Sequence, residues 1–339
     1  MVDFLALPLV GLTAIILTWA FDFVNGFHDS ANSIATIVAT KVLSPVQAVT
    51  MAAFFNFMGF VVFGSAVAAT IQTGIIKQNL IQEQFGLELV LSALLGAIAW
   101  NLITWWFGIP ASSSHALVGG LLGAGGAAMG LDAVKWAGVT KIVAFIAVSP
   151  IVGFIAGFFI VALVMRTMSK YSANKVNRWF RHLQIVSSAS YSMTHGANDA
   201  QKGMGIIMLV LVASQAALPT DKAFLWVALS CYTALALGTF FGGWRIVKTM
   251  ASRITKLQPY QGFSAEAGAA AMLAVTAHIG VPVSTTHTIS GSIMGVGSAK
   301  RVSAVRWGIG RRLIIAWILT IPASATISGL IFWSYLNLV

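Results

Sequence analysis

Two short polar segments place carboxylates inside otherwise apolar sequence. Residues 25–32 read Asn-Gly-Phe-His-Asp-Ser-Ala-Asn, and residues 195–202 read His-Gly-Ala-Asn-Asp-Ala-Gln-Lys. An ionisable side chain at bilayer depth is costly, so Asp29 and Asp199 are candidates for function. Carboxylate and amide oxygens suit a proton or a hard cation, and His28 adds an imidazole that titrates near neutrality. The two segments therefore predict a cation-coupling site, with His28 beside Asp29 as a proton carrier.

The predicted ion-coupling set extends beyond these residues. Its members are Asp22, Asn25, His28, Asp29, Asn32, Asn198, Asp199 and Glu266. If the coupled ion is a metal cation, Asp29 and Asp199 are its expected ligands. A structural role is the alternative throughout, because an aspartate can pair with Lys202 or cap a helix and His28 can simply hydrogen-bond across helices. For Asp22 and Glu266 the structural and functional interpretations weigh equally.

A second pair of segments presents hydroxyl groups after a proline. Residues 108–115 read Gly-Ile-Pro-Ala-Ser-Ser-Ser-His, and residues 280–287 read Gly-Val-Pro-Val-Ser-Thr-Thr-His. Proline disfavours helix at the residue before it and can open a new helix, where hydroxyls, backbone N–H groups and the dipole favour an anion. An ordinary N-cap would explain one hydroxyl per segment but not three in a row. The predicted anion-binding set is Ser112, Ser113, Ser114, Ser284, Thr285 and Thr286, together with Gln201 and Lys202.

Both pairs of segments are internal repeats. The aspartate segments are 170 residues apart, and the hydroxyl segments follow in the same order 172 residues apart. We count five membrane crossings before the central basic segment, so the second half would enter from the opposite side, as in many secondary transporters. We therefore predict an all-α polytopic protein of two inverted repeats, 1–165 and 185–339, joined by a short basic cytoplasmic linker at 166–184. Broken or re-entrant helices would meet near the bilayer midplane, and both pairs of segments are expected to interrupt their helices.

The composition agrees with a membrane location. Hydrophobic residues make up 58% of the 339 residues and charged residues only 9%, far below the level of soluble domains. Six apolar runs are long enough to cross the hydrocarbon: 4–20, 46–71, 87–107, 142–164, 224–243 and 309–332. The net charge of +11 resides in short connectors, so it reports orientation and not a nucleic-acid partner. With the central basic segment in the cytoplasm, both termini lie on the extracytoplasmic side.

These segments resemble the inorganic phosphate transporter (PiT) family, whose signature is a pair of Gly-x-Asn-Asp-like motifs, one in each inverted half. The resemblance runs over nearly the whole chain, through residues 25–32, 196–202 and both Pro-x-Ser segments. It implies symport of phosphate across the cytoplasmic membrane of a bacterium or archaeon, assembly as a homodimer, and no cofactor besides a coupling H⁺ or Na⁺. Asp29 and Asp199 would lie among the ion and phosphate ligands, with the paired Ser/Thr segments at the phosphate site.

One residue departs from the pattern of sodium-coupled members. They typically carry Asn before the first aspartate, whereas this chain has His28, as in the bacterial low-affinity branch that resembles proton-driven carriers of metal-phosphate complexes. The interpretation therefore favours protons over sodium. Sodium coupling and sulfate as the substrate stay open.

Two other classes of protein compete with a symporter. A membrane enzyme could hold a metal on Asp22, His28 and Asp29, but such a site needs to occur once, and its elements here are duplicated. An anion channel would suit broken helices equally. A channel would conduct regardless of an imposed proton or sodium gradient, whereas a symporter would concentrate phosphate against one.

Overall fold

The fold is a bundle of helices. The computed structural model describes residues 7–62, 64–77, 81, 86–214 and 221–338. The helices of those residues are α1 Leu9–Ala39, α2 Pro45–Val62, α3 Ala66–Gly74, α4 Gly86–Trp106, α5 Ser113–Met129, α6 Trp136–Thr167, α7 Ala173–Ala213, α8 Asp221–Phe241, α9 Trp244–Arg253, α10 Pro259–His278, α11 Thr285–Lys300 and α12 Trp307–Leu336. Single turns of 3₁₀ helix at Leu131–Ala133 and Val302–Ala304 precede α6 and α12.

Six of these helices, α1, α2, α4, α6, α8 and α12, are long and apolar enough to cross a membrane. They account for the six predicted apolar runs together with α3, apart from residues 4–6 and 63, which lie outside the described part of the chain. The run 46–71 is divided between α2 and α3. The longest helix, α7, is too polar to appear among the six, because the face that it buries carries the second aspartate segment.

The hydroxyl segments interrupt the helical structure, as predicted. α4 ends at Trp106 and α5 begins at Ser113, while α10 ends at His278 and α11 begins at Thr285. Each break begins at a glycine with positive φ, 64° at Gly108 and 69° at Gly280, a conformation that other residues rarely adopt. The prolines follow two residues later and disfavour helix at the residue before them, and each next helix begins three residues after its proline.

The aspartate segments do not interrupt their helices, so that prediction was wrong. Residues 25–32 lie inside α1, and residues 195–202 lie inside α7. Their glycines serve close packing and not turns, since a Cβ on Gly26 would lie 2.0 Å from the Leu235 carbonyl oxygen. A Cβ on Gly196 would lie 2.1 Å from the Asn56 carbonyl oxygen. Small residues let helix backbones approach in this way inside membranes.

The helices recur in the same order, α1–α6 and then α7–α12, and contacts between the two sets are reciprocal. The Thr249 hydroxyl on α9 donates to the Gly108 carbonyl at 2.8 Å, and the Thr70 hydroxyl on α3 donates to the Gly280 carbonyl at 2.6 Å. Such reciprocity is what a two-fold relation between halves produces. The orientation of the halves relative to a membrane stays a prediction.

The long helices with internal prolines pack on the opposite half. α6 lies against α11, and α12 lies against α5. At the closest approaches, a Cβ on Gly295 would lie 2.0 Å from the Phe154 carbonyl oxygen and one on Gly123 would lie 2.0 Å from that of Ala325. The small-residue stretches 119–130 and 291–297 therefore allow close helix packing.

The central basic segment is mostly helical. α6 continues to Thr167 and α7 starts at Ala173, which leaves residues 168–172 as the connection between the two sets of helices. Lys175 lies over the rings of Tyr171 and Trp179, 5.0 and 4.9 Å from their centroids. The positive charges of the predicted linker thus lie largely on the first turns of α7.

Candidate functional site

The site lies where α1 and α7 cross as an antiparallel pair. The Thr40 hydroxyl, at the end of α1, donates to the Gln184 amide oxygen near the start of α7 at 2.9 Å. At the other end of the contact, Asn25 meets Asp199. The antiparallel crossing brings the two aspartate segments together, and it places them beside the starts of α5 and α11.

Asp29 is the point where hydroxyls from both halves converge. Its carboxylate accepts from the Ser113 hydroxyl and the Thr286 hydroxyl, each at 3.4 Å, and lies 2.7 Å from Nδ1 of His28. The Asp29 residue is 2% exposed. One carboxylate therefore holds the first turns of both broken helices.

Asp199 is paired with a lysine. Nζ of Lys202 lies 2.9 Å from Oδ1 of Asp199, and Nε2 of His195 lies 3.4 Å from Oδ2. The same ammonium donates to the Ser114 hydroxyl at 3.1 Å, and Ser114 donates to the Val283 carbonyl at 3.0 Å. Lys202 thus joins the second aspartate to the hydroxyls of α5.

Two asparagines link the carboxylates and hydroxyls. With its amide nitrogen facing the carboxylates, Asn25 lies 3.1 Å from Asp199 and 3.2 Å from Asp29, and its oxygen accepts from Lys202 at 3.3 Å. The Asn32 amide donates to the Thr286 hydroxyl at 2.9 Å and, more weakly, to that of Thr285 at 3.3 Å. These amides extend the cluster on both sides of Asp29.

Four predicted site residues have other partners. The Ser112 and Ser284 oxygens accept from the backbone N–H groups of His115 and His287, so these two serines are N-caps of α5 and α11. Gln201 accepts from the N–H groups of residues 67 and 68 and so caps α3. Asn198 donates to backbone carbonyls of residues 194 and 273.

Glu266 belongs to a separate buried network. Its carboxylate accepts from the Thr36 hydroxyl at 2.5 Å, from the Gln184 amide at 3.1 Å and from the Ser187 hydroxyl. It ties α10 to α1 and α7, and none of its hydrogen bonds among the described residues involves the hydroxyls of α5 or α11. This arrangement agrees with the structural interpretation of Glu266.

Asp22 lies three residues before Asn25 on α1, fully buried. Its carboxylate is so close to α7 that a Cβ on Gly203 would lie 2.0 Å from Oδ2, and the thiol of Cys231 is a neighbouring polar group. Within ordinary hydrogen-bond distance, neither oxygen of the Asp22 carboxylate has a donor among the described residues. Asp22 therefore borders the cluster without joining its hydrogen bonds.

The cluster also contains a set of atoms that could share a small cation. Ligand atoms of Asp29, His195 and Asp199 lie within 4.8 Å of one another. Two carboxylates with one imidazole nitrogen suit a hard or borderline cation. Lys202 and His28 already contact these carboxylates, so a bound cation would have to compete with both.

A sequence profile described as the phosphate transporter family matches residues 25–328. The chain belongs to the phosphate transporter family. A probable low-affinity inorganic phosphate transporter of Rhizobium meliloti is 52% identical over 332 residues, which is 97% of each chain. One of the same description from Bacillus subtilis is 44% identical over 333 residues, 98% of this chain and 99% of that one.

The fold is also similar to that of a solved phosphate transporter. The protein called "The sodium-dependent phosphate transporter" superposes with a TM-score of 0.86 at 27% identity, covering 98% of this chain and 100% of that one. The predicted family and all-α polytopic fold are therefore confirmed, and the family carries out transport and not catalysis. Apolar helices and bacterial relatives make this family member a multi-pass membrane protein.

Three contributors to this phosphate transporter's site were absent from the predicted set. Nε2 of His28 lies 3.0 Å from the Thr104 hydroxyl of α4. His195 contacts Asp199, and the Tyr191 hydroxyl donates to the Thr285 carbonyl at 3.3 Å. His195 occupies the repeat position of Asn25, and this equivalence was a signal that could have identified it.

Proposed function

We propose that this phosphate transporter is a secondary active symporter that imports inorganic phosphate together with a cation, and that the cation is a proton held at His28 and Asp29. The observation that carries the proposal is the charge of the cluster. Two carboxylates, Asp29 and Asp199, face one ammonium, Lys202, among hydroxyls from both halves.

The hydroxyls and the ammonium supply what a tetrahedral oxyanion requires. Ser113, Ser114 and Thr286 converge with Lys202 from three helices, and Asn32 adds an amide donor beside Thr286. In this structure the Asp29 carboxylate accepts from two of those hydroxyls. An entering phosphate would take over these donors, which are aimed at a negative charge already.

The same cluster would repel phosphate unless a cation came with it. The formal charges of two carboxylates and one ammonium leave one negative charge uncompensated. A phosphate charge about 4 Å from an uncompensated carboxylate costs about 4 kcal/mol at an effective dielectric constant of about 20. That energy lowers affinity by about a thousandfold, so coupling to a cation is the physical means of binding phosphate here.

His28 provides a place for a proton without moving any heavy atom. Its Nδ1 faces Asp29 and its Nε2 faces the Thr104 hydroxyl. When the imidazole is neutral, the Thr104 hydroxyl donates to Nε2. When it is protonated, Nε2–H donates to the Thr104 oxygen, and the Thr104 hydroxyl turns to donate to the carbonyl of Trp100 or Asn101, 3.0 and 3.1 Å away. Both protonation states therefore keep every hydrogen bond of His28 satisfied.

Sodium is the second candidate for the coupled ion. The ligand atoms shared by Asp29, His195 and Asp199 favour it, as does the likeness to a sodium-dependent relative.

We further propose that the halves 1–165 and 185–339 are inverted repeats in a cytoplasmic membrane. The reciprocal contacts of Thr249 and Thr70 support a two-fold relation between them.

The test is uptake by purified protein in proteoliposomes. Labelled phosphate is followed under an inward proton gradient, an inward sodium gradient and no gradient, each with and without magnesium, and with sulfate as competitor. The proposal expects accumulation above equilibrium with the proton gradient alone. If accumulation requires sodium, the coupled ion is sodium, held by Asp29, His195 and Asp199. If the phosphate flux is the same with and without either gradient, the protein is a channel.

A further inference from the structure

A groove of about 590 Å³ lies beside the turn between α4 and α5. Its walls come from the C-terminal half of α4, the turn 107–110, the end of α9 and the first half of α12. The lining is almost wholly apolar and includes Trp100, Phe107, Ile315 and Leu319. Phe107, Ile315 and Leu319 are exposed, so the groove opens to the surroundings of the bundle.

Two arginines lie at one end of the groove. Arg253 is the last residue of α9, and Arg312 lies in the second turn of α12; both side chains line the groove and are exposed. None of the ion pairs among the described residues includes either guanidinium. From Arg312 to Leu319, the apolar wall continues along α12 for about 10 Å at 1.5 Å per residue.

The charge at this end is uncompensated over a wide area. Arg245 donates to the Trp106 carbonyl and so ties α9 to the C-terminal end of α4. The acid of α4 is Glu88, in the first turn of that helix, and it lies about 27 Å from Trp106 along the helix axis at 1.5 Å per residue. Four further acids, Asp22, Asp29, Asp199 and Glu266, are buried in the interior, and the exposed Asp132 lies in the turn after α5, at the opposite end of that helix from the groove.

We propose that this groove is a binding site for an anionic phospholipid, with the phosphodiester between Arg253 and Arg312 and one acyl chain along α12. Guanidinium groups bind phosphate oxygens in a two-pronged geometry, and an apolar trough next to them suits a chain and not a free ion. A choline headgroup would bring a positive charge next to two others, so the site selects lipids with a net negative headgroup.

The groove reaches the backbone that carries the hydroxyls. The turn that contains Gly108 and Pro110 lines it, and the carbonyls of these two residues accept from Thr249 at 2.8 Å and from the Trp317 indole at 3.2 Å. Thr104, which contacts His28, also lines the groove. A lipid seated there would stabilise the turn immediately before the start of α5.

The test measures binding, independently of transport. Purified protein is equilibrated with mixtures of phosphatidylglycerol and phosphatidylcholine of matched chains, and retained lipid is counted by native mass spectrometry. We expect the unmodified protein to retain phosphatidylglycerol preferentially. In the Arg253→Gln/Arg312→Gln protein the ratio of retained phosphatidylglycerol to phosphatidylcholine should fall by about thirtyfold, since each basic residue near anionic lipid contributes an additive attraction of about 1 kcal/mol. The Arg253→Lys/Arg312→Lys protein should keep part of the preference.

Two matched variants separate the groove from the general charge. Arg301→Gln/Arg311→Gln removes two exposed charges of the same region outside the groove and should retain the preference. Ala316→Phe keeps both arginines but fills the trough, and should lose retention of either lipid.

Three results would overturn the proposal. They are an equal loss in both double Gln variants, displacement of the lipid by millimolar inorganic phosphate, and efficient chain-to-chain cross-linking through Ile315→Cys. The last would make the groove an interface between two copies. The native Cys231 is fully buried, so it contributes little background to the cross-linking.

Discussion

The hydroxyl donors can be tested one helix at a time, because the same run of serines contains a matched control. Ser113→Ala and Thr286→Ala each remove a donor that now serves Asp29, and each should weaken phosphate binding about fivefold, since a neutral hydrogen bond contributes about 1 kcal/mol net. Ser112→Ala removes only an N-cap and should lower the stability of the folded protein by about 1 kcal/mol while leaving phosphate affinity intact. Phosphate titrations and thermal unfolding of the same samples distinguish the two effects. Equal phosphate affinity in all three variants would remove the hydroxyls from the site.

His28 tests the identity of the coupled ion. His28→Asn keeps a polar side chain at the position but cannot exchange a proton near neutral pH, so phosphate accumulation should lose its dependence on the proton gradient. His182→Asn, at an exposed position of α7, is the control and should leave proton-driven accumulation unchanged. Full proton-driven accumulation in His28→Asn would make the histidine structural.

Asp29→Asn should have the stronger effect of the two changes. It removes the charge that a coupled cation neutralises, and it replaces one of the two oxygens that accept from Ser113 and Thr286 with an amide group that only donates. Gradient-driven uptake should fall by roughly a hundredfold, in line with the loss of about 3 kcal/mol of charge-assisted interactions. Initial rates measured at saturating phosphate check this expectation, and a rate within a fewfold of the unmodified protein would contradict it.

The sequence identified the residue types of the site but not the direction in which each one points. Charged and polar side chains within apolar, duplicated segments are conspicuous, which is why Asp29, Asp199 and the hydroxyls were found. Neighbouring residues on a helix point about 100° apart, so Gln201 faces the start of α3 while Lys202 faces Asp199. No feature of the segment separates these two residues, because the choice depends on the helices packed around α7.

At the level of elements, the close approach of α5 and α12 can be tested at two glycines three residues apart. Gly123→Ala would place a Cβ 2.0 Å from the Ala325 carbonyl oxygen, so it should destabilise the folded protein by about 1–3 kcal/mol. Gly126→Ala meets only the Leu131 side chain at 3.7 Å and should be neutral or stabilise by up to about 1 kcal/mol. Thermal unfolding in detergent compares them, and equal stability of the two variants would contradict the packing.

The helix breaks show how local and tertiary signals compete. Proline and a following helix start are properties of the local chain, and the breaks at Pro110 and Pro282 were predictable for that reason. Glycine has two uses, turns and close packing, and the sequence cannot tell them apart without the neighbouring helix. The segments that contain Gly26 and Gly196 were expected to interrupt their helices, whereas α8 and α2, packed against these two glycines, explain their small size.

For the whole molecule, the inversion of the halves can be tested with two equivalent loops. Lys77 follows α3, and Lys256 follows α9, its counterpart in the second set; both are exposed. In inverted repeats, Lys77→Cys should react with a membrane-impermeant maleimide from outside intact cells, and Lys256→Cys only after the membrane is opened. Labelling of both from the same side would indicate repeats in parallel orientation.

The crossed packing of the two sets of helices has a consequence for biosynthesis. α5 is complete at Met129, but α12, the helix that covers its glycines, does not begin until Trp307. At a translation rate of about 5–20 residues per second, roughly ten to forty seconds separate the synthesis of these two partners. During that interval the first broken helix has no permanent neighbour on one side, and its small residues and freed carbonyls must be shielded by the insertion machinery or by lipid. The ribosome thus finishes the second half before the first can assume its final form, and a chain truncated within the second half leaves the first half incompletely assembled.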